Sequence, residues 1–196
     1  MPKHLRVPER SRGRRRVGLT AAVAALASSG AVLAALPAGA APAPLPDMAS
    51  VARVVGAPQA GATGRGIDVA VLDTGVTPVQ GLGAPDKVVY GPDLSFDSQN
   101  PSLAYLDGYG HGTAIAGIIA GNDGTAGGYT GVAPDARIVS VKVGASNGAV
   151  DVSQMIAGID WVVQHAHDPG MNIRVLNLSL GTNSIQGYQL DPLAHA

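Results

Sequence analysis

Cysteine is absent from the 196 residues, which removes a disulfide scaffold, a thiolate zinc site and a cysteine nucleophile together. Charge is scarce as well, at 14% Asp, Glu, Lys and Arg, and it is segregated along the chain. Residues 1–40 hold seven Lys/Arg and one acid, Glu9; the remainder has six Lys/Arg against thirteen acids, all of them Asp, a net charge of −7. The near-neutral total of −1 hides this split. No cluster of Lys/Arg lies beyond residue 40, so no nucleic-acid partner is expected. An internal repeat of fixed period is missing too, which argues against a repeat architecture. What is there is 46% hydrophobic, with 27 Gly and 14 Pro. That is too apolar for a disordered tail, and long enough for one domain of ordinary size or part of a larger one.

The first forty residues read as an address. A basic head with Arg10, Arg12, Arg14, Arg15 and Arg16 precedes an uncharged apolar run over residues 17–36, then Pro37 and Ala38-Gly39-Ala40. This is the order of a secretory signal peptide, with cleavage expected after Ala40. The run is long enough to rival a membrane anchor, but its Ala, Gly, Ser and Thr content makes it weakly hydrophobic, so no stable anchor is expected after cleavage. Arg15-Arg16 followed by Val17-Gly18-Leu19 resembles a twin-arginine export signal, except that Gly18 stands where a bulky apolar residue is usual. Residues 41–66, rich in Ala, Pro and Gly, read as an arm or linker. Residues 67–196 form the candidate domain.

From residue 67 onwards, strands and helices alternate. Apolar runs over 67–72, 87–90, 137–143 and 174–178 suit buried parallel strands. Small-residue helical periodicity covers 111–120, and Val152, Ile156, Ile159 and Val163 fall on one face of a helix over 152–167. Asp151 with Gln154 resembles a capping box for that helix, and Pro192 opens one more. Alternation of this kind indicates an α/β fold, a parallel sheet covered by helices on both faces. Ligands gather at the carboxyl ends of such strands, where Asp73, His111 and Ser179 are expected on one rim. An Asp at a strand end beside a His is the orienting half of a nucleophilic triad: it fixes the imidazole tautomer and stabilises the imidazolium. Gly108, Gly110 and Gly112 would allow close approach of a substrate backbone to His111.

Val71-Leu72-Asp73-Thr74-Gly75-Val76 resembles the aspartate motif of the subtilisin-like serine peptidases. Asp107-Gly108-Tyr109-Gly110-His111-Gly112-Thr113 resembles their histidine motif, continuing through Ala114-Ile115-Ala116-Gly117. Gly131-Val132-Ala133-Pro134, Val141-Lys142-Val143 and Leu176-Asn177-Leu178-Ser179-Leu180-Gly181 follow in the family's order. The resemblance covers residues 64–184. It implies the subtilisin-like three-layer fold, a parallel sheet between helices, incomplete on its C-terminal side. It implies Asp73 as orienting acid and His111 as general base. It further implies that Ser179, Leu180 and Gly181 pair with an extended substrate, with Asn147 and Gly148 as the opposite edge. The function so implied is that of a secreted serine endopeptidase acting on peptides or proteins, with no cofactor for the chemistry. A structural calcium ion is allowed for, with Asp86, Asp93 and Asp97 as candidate ligands against the plainer reading of solvated loop carboxylates.

The sequence departs from the family in three places. None of its serines stands in a Gly-Thr-Ser-x-Ala-x-Pro string, so the chain supplies only Asp and His of the triad. The oxyanion-hole asparagine lies, in the family, beyond the Ser-Leu-Gly strand; Ala120-Gly121-Asn122-Asp123-Gly124 imitates its motif but reads as a turn. Many relatives carry a folded propeptide of roughly domain size before the aspartate motif, whereas here a short Ala/Pro-rich arm separates Ala40 from Ile67. Two accounts remain. In one, the coding frame runs on past Ala196 into the serine string; in the other, the chain is an inactive secreted pseudopeptidase or peptide-binding module.

Three other patterns compete. Asp73-Thr74-Gly75 is also an aspartic-peptidase signature, which requires a second such Asp on an all-β frame. Gly144-Ala145-Ser146-Asn147-Gly148 fits a nucleophile elbow, or else a flexible loop; an elbow needs its helix to start almost at the serine. His165 and His167, two apart, point to different faces of a helix and suit a helix end rather than a metal.

Overall fold

A computed structural model describes residues 47–181 and 187–196. Residues 1–46, which contain the expected signal sequence, lie outside the described residues. The apolar, β-branched segments form four strands: β1 (Asp68–Asp73), β2 (Val88–Asp93), β3 (Arg137–Lys142) and β4 (Ile173–Leu178). They make one sheet in the order β2-β3-β1-β4, and every pairing is parallel. β1 is therefore flanked on both sides, which is why all six of its residues are buried and why it reads as a continuous apolar run rather than an alternating one.

Alternate residues of β1 serve opposite layers. Val69 and Val71 pack with Ala116 and Ala120 of α3 (His111–Ala120). Ala70 and Leu72 pack with Met155, Ile159 and Val162 of α4 (Val152–His165), and Leu193 of α5 (Pro192–His195) joins that side. The result is three layers, as the strand and helix alternation requires. α4 opens with the expected capping box: Asp151 accepts from the Ser153 amide at 2.8 Å, and Gln154 reaches back to the Asp151 amide at 3.0 Å.

The packed face of α4 is not the one expected: Met155, Gly158, Ile159 and Val162 are buried while Val163 is exposed, and the helix ends at His165 rather than His167. Two stretches differ from the sequence reading as well. The arm is not irregular throughout, because α1 (Met48–Val54) and α2 (Ala57–Ala60) form within it. Asp47 caps α1 by accepting from the Ser50 amide at 2.8 Å, and Ala52 is buried. β2 runs on to Asp93, past Gly91-Pro92, with its register against β3 shifting between Tyr90 and Asp93. A strand containing Pro tolerates this at a sheet edge, where the missing N–H costs no ladder bond.

Candidate active site

Asp73 ends β1 and is fully buried, at 0% exposure. His111 begins α3. β2 lies between β1 and α3 in the chain and, running parallel to its neighbour, ends again at the carboxyl rim of the sheet. α3 starts from there, and the two side chains meet: His111 Nδ1 lies 2.8 Å from Asp73 Oδ1 and 3.0 Å from Oδ2. A carboxylate only accepts, so the imidazole proton sits on Nδ1 and Nε2 is left as the basic nitrogen. The His111 side chain stays 37% exposed over the buried acid.

The pair is held by a second carboxylate. Gly110, the N-cap of α3, has φ +98° and no side chain to cap with; Asp107 takes over that task. Its Oδ1 accepts from the amides of Gly110 at 2.7 Å and Tyr109 at 3.2 Å, and its Oδ2 from the Thr113 amide at 2.7 Å. The Thr74 hydroxyl has one proton to give. Asp107 Oδ1 at 2.7 Å takes it rather than Asp73 Oδ1 at 3.3 Å, since the shorter contact is the better hydrogen bond. The same hydroxyl accepts from the Gly112 amide at 3.0 Å, and the Thr74 amide donates to Asp73 Oδ1 at 2.7 Å. Burial alone would push the Asp107 carboxyl up, but the hydrogen bonds from Thr113, Gly110 and Thr74 outweigh it and hold it below the ordinary aspartate range.

The glycines around His111 are spent on the protein's own packing more than on an approaching substrate. A Cβ on Gly112 would collide with the Gly75 carbonyl and lie 3.0 Å from Asp73 Cβ. One on Gly108 would lie 2.7 Å from Ser146 Cβ. Gly110 alone faces open space.

Ser179, Leu180 and Gly181 follow β4, whose Leu178 is in register with Leu72, so Ser179 is level with Asp73 on the neighbouring strand. Gly148, Leu180 and Gly181 come together around one cavity of about 380 Å³, completed by Val150, Asp151, Val152 and Met155. Ser179 and Asn147 do not line it: Ser179 accepts from Asn177 Nδ2 at 2.9 Å, and Asn147 Oδ1 accepts from the Ala149 amide at 2.9 Å. The two segments expected to border the groove thus contribute three of their five residues to a shared cavity.

The competing patterns resolve physically. α4 starts only at Val152, so Ser146 sits in a loop and not on an elbow. The α/β frame does not suit an aspartic peptidase. His165 Nδ1 bonds the Trp161 carbonyl at 2.7 Å and its ring stacks on Trp161 at 4.5 Å, a helix-end role. Asp93 spends its oxygens on the amides of Ser95 and Tyr105, and Asp97 Oδ2 accepts from the Ser146 amide and from Lys142. Among the described residues no three or more His, Cys, Asp or Glu side chains, Asp86 included, form a group that could hold a metal ion; the calcium ion remains an expectation of the family resemblance.

Sequence reasoning missed Asp107, Thr74, Asp97 and Lys142 as organisers of the rim. A glycine N-cap was the available signal for Asp107, because an uncapped helix start needs an acceptor from nearby. For Lys142 the signal was a lysine inside an apolar strand.

The fold and this pair define a three-layer α/β protein with a hydrogen-bonded acid and imidazole at the carboxyl rim of its sheet. The subtilase-family model matches residues 64–194, and the chain belongs to that family. It is 35% identical over 139 residues to the serine protease AprX of Bacillus subtilis (strain 168), covering 68% of this chain and 30% of that protein. It is 42% identical over 124 residues to Subtilisin Savinase of Lederbergia lenta, covering 63% of this chain and 40% of that protein. The minor extracellular protease Epr of Bacillus subtilis (strain 168) is 36% identical over 64% of this chain and 17% of its own length. A crystal structure of a cold adapted subtilisin-like serine proteinase superposes with a TM-score of 0.52 at 34% identity, over 68% of this chain and 43% of that one. The chain spans under half the length of each of these relatives.

Proposed function

We propose that this chain carries the acid and the base of an exported serine endopeptidase, Asp73 orienting His111 and His111 acting on a serine hydroxyl. The observation that carries the reading is the 2.8 Å bond between His111 Nδ1 and the buried Asp73. With the proton fixed on Nδ1, Nε2 takes the hydroxyl proton as the oxygen attacks a peptide carbonyl. The imidazolium so formed faces a carboxylate, and its proton passes to the departing amine. An extended peptide would lie between residues 179–181 and 147–148, hydrogen-bonded as an added strand. The side chain before the cut would enter the 380 Å³ cavity that Gly148, Leu180 and Gly181 share with residues 150–152 and Met155. Export rests on the order of residues 1–40 and is supported by a relative whose name calls it extracellular. Among the described residues no helix is long and apolar enough to cross a membrane.

No serine of the chain stands in the family's serine string. In a member of this family, removing that nucleophile costs about a millionfold in turnover. The 196-residue polypeptide by itself is therefore expected to bind an extended peptide without cutting it. A serine-directed phosphonate probe should leave it unlabelled, while proton NMR shows a low-field Nδ1–H resonance of His111 that vanishes in Asp73→Ala. Labelling, or absence of that resonance in the folded wild type, would overturn the reading. The missing serine string equally favours an inactive peptide-binding module. The two separate on adding a polypeptide that carries the string, which restores turnover only if the chain is an enzyme part.

A further inference from the structure

Lys142 ends β3 in register with Asp73, yet the acid–base pair makes no use of it. Its side chain is 1% exposed, and its three protons are all committed. They go to the carbonyls of Leu103 at 2.8 Å and Leu106 at 2.7 Å, and to Asp97 Oδ2 at 3.3 Å. That same oxygen accepts from the Ser146 amide at 2.6 Å. A buried ion pair is a poor source of stability, because well-packed apolar groups of equal volume commonly do as well. Its partners explain it better. Leu103 and Leu106 belong to the loop that runs into Asp107 and His111, whereas Ser146 belongs to the loop that carries Asn147 and Gly148.

These two loops touch. Gly108 approaches Ser146 so closely that a Cβ there would lie 2.7 Å from the serine Cβ, and a Cβ on Gly148 would lie 3.0 Å from the Tyr109 ring. Between the two carbonyls that Lys142 binds, Tyr105 has φ +64°, a left-handed conformation that a bulky residue keeps only where its surroundings impose it. The Tyr105 amide is tied in turn to Asp93 Oδ2 at 2.8 Å.

We propose that Lys142 and Asp97 form a positioning pair that sets the spacing between the His111 loop and the 146–148 edge, and with it the width of the peptide groove. The groove itself rests on the functional reading above; the spacing does not. The test uses the 196-residue chain with Lys142→Met and Asp97→Asn, each read by amide NMR and by titration with the uncharged peptide acetyl-Ala-Ala-Ala-Leu-amide. Both variants should move the amide signals of Gly108, Gly110, Ser146 and Gly148 and leave the low-field resonance of His111 in place. Peptide affinity should fall about tenfold, in the range of couplings between residues of one network. A role in stability alone predicts a lower melting temperature with unmoved loop signals and unchanged affinity well below it, and that outcome would overturn the proposal. Asp97→Asn keeps the side-chain shape and decides the matter if Lys142→Met does not fold. If the wild type binds no peptide, the groove reading fails, while the loop signals still judge the pair.

Discussion

At Gly112 one added methyl group would strike backbone beside the acid–base pair. The helix position favours Ala over Gly by about 1 kcal/mol in intrinsic propensity. Against that, the added Cβ meets the Gly75 carbonyl, which is backbone, and comes within 3.0 Å of Asp73 Cβ. Overpacking of this kind costs about 1–3 kcal/mol, and neither obstacle is the far end of a flexible side chain, so the collision wins. Gly112→Ala should lower the urea midpoint and displace the His111 Nδ1–H resonance; an unchanged resonance would show that α3 can shift without disturbing the pair. Asp73 and His111 were legible in the sequence because each sits in a run whose neighbours declare its element. Asp107 was not, since its value lies in reaching the amides of Tyr109, Gly110 and Thr113 together with the Thr74 hydroxyl, a convergence that spacing alone does not display.

Elements with strong periodicity and a chemical boundary were read closely. α4 begins where Asp151 and Gln154 say it should, and α3 spans the residues expected of it. Asp151→Ala removes the acceptor for the Ser153 amide and should cost about 0.5–2 kcal/mol, measurable by urea unfolding with an unaltered slope; a loss below that range would mean that packing, not the cap, fixes the start of α4. α1 and α2 were missed because seven and four residues give too short a stretch for a period to emerge, and Ala, Pro and Gly argue for a linker. β2 was cut short at Gly91-Pro92 because proline speaks against a strand, whereas its place at the edge of the sheet, a matter of topology, permits it.

At the scale of the whole molecule, acid is the condition that should loosen it. Burial would raise the carboxyl of Asp68, yet the fork of Arg137, with Nε 2.7 Å from Oδ1, and the Asn172 amide bring it below the ordinary value; Asp107 is lowered in the same direction. Both folded values lie under the 3.9 or so of an unperturbed aspartate. Between the folded and unfolded values the unfolded chain binds the extra protons, so this contribution is complete above about pH 4 and drains away as pH falls through the folded values. Melting temperatures between about pH 5 and pH 2 should fall less steeply for Asp68→Asn and Asp107→Asn than for the wild type. Equal slopes would place the acid sensitivity elsewhere. The three-layer frame was legible from the alternation of runs; the strand order was not, because nothing in the order of segments says that the fourth strand lies beside the first.

The position of β1 gives the acid and the base unequal moorings. Asp73 stands at the tip of an internal strand, buried and paired with Lys142 of β3, and a core strand of this kind is among the last segments to open. His111 instead rides the first turn of a ten-residue helix whose start is secured by side chains from outside it, the Asp107 carboxylate and the Thr74 hydroxyl. Thermal motion should therefore separate the two by lifting the imidazole away from a stationary anchor, and never by withdrawing the anchor from the ring.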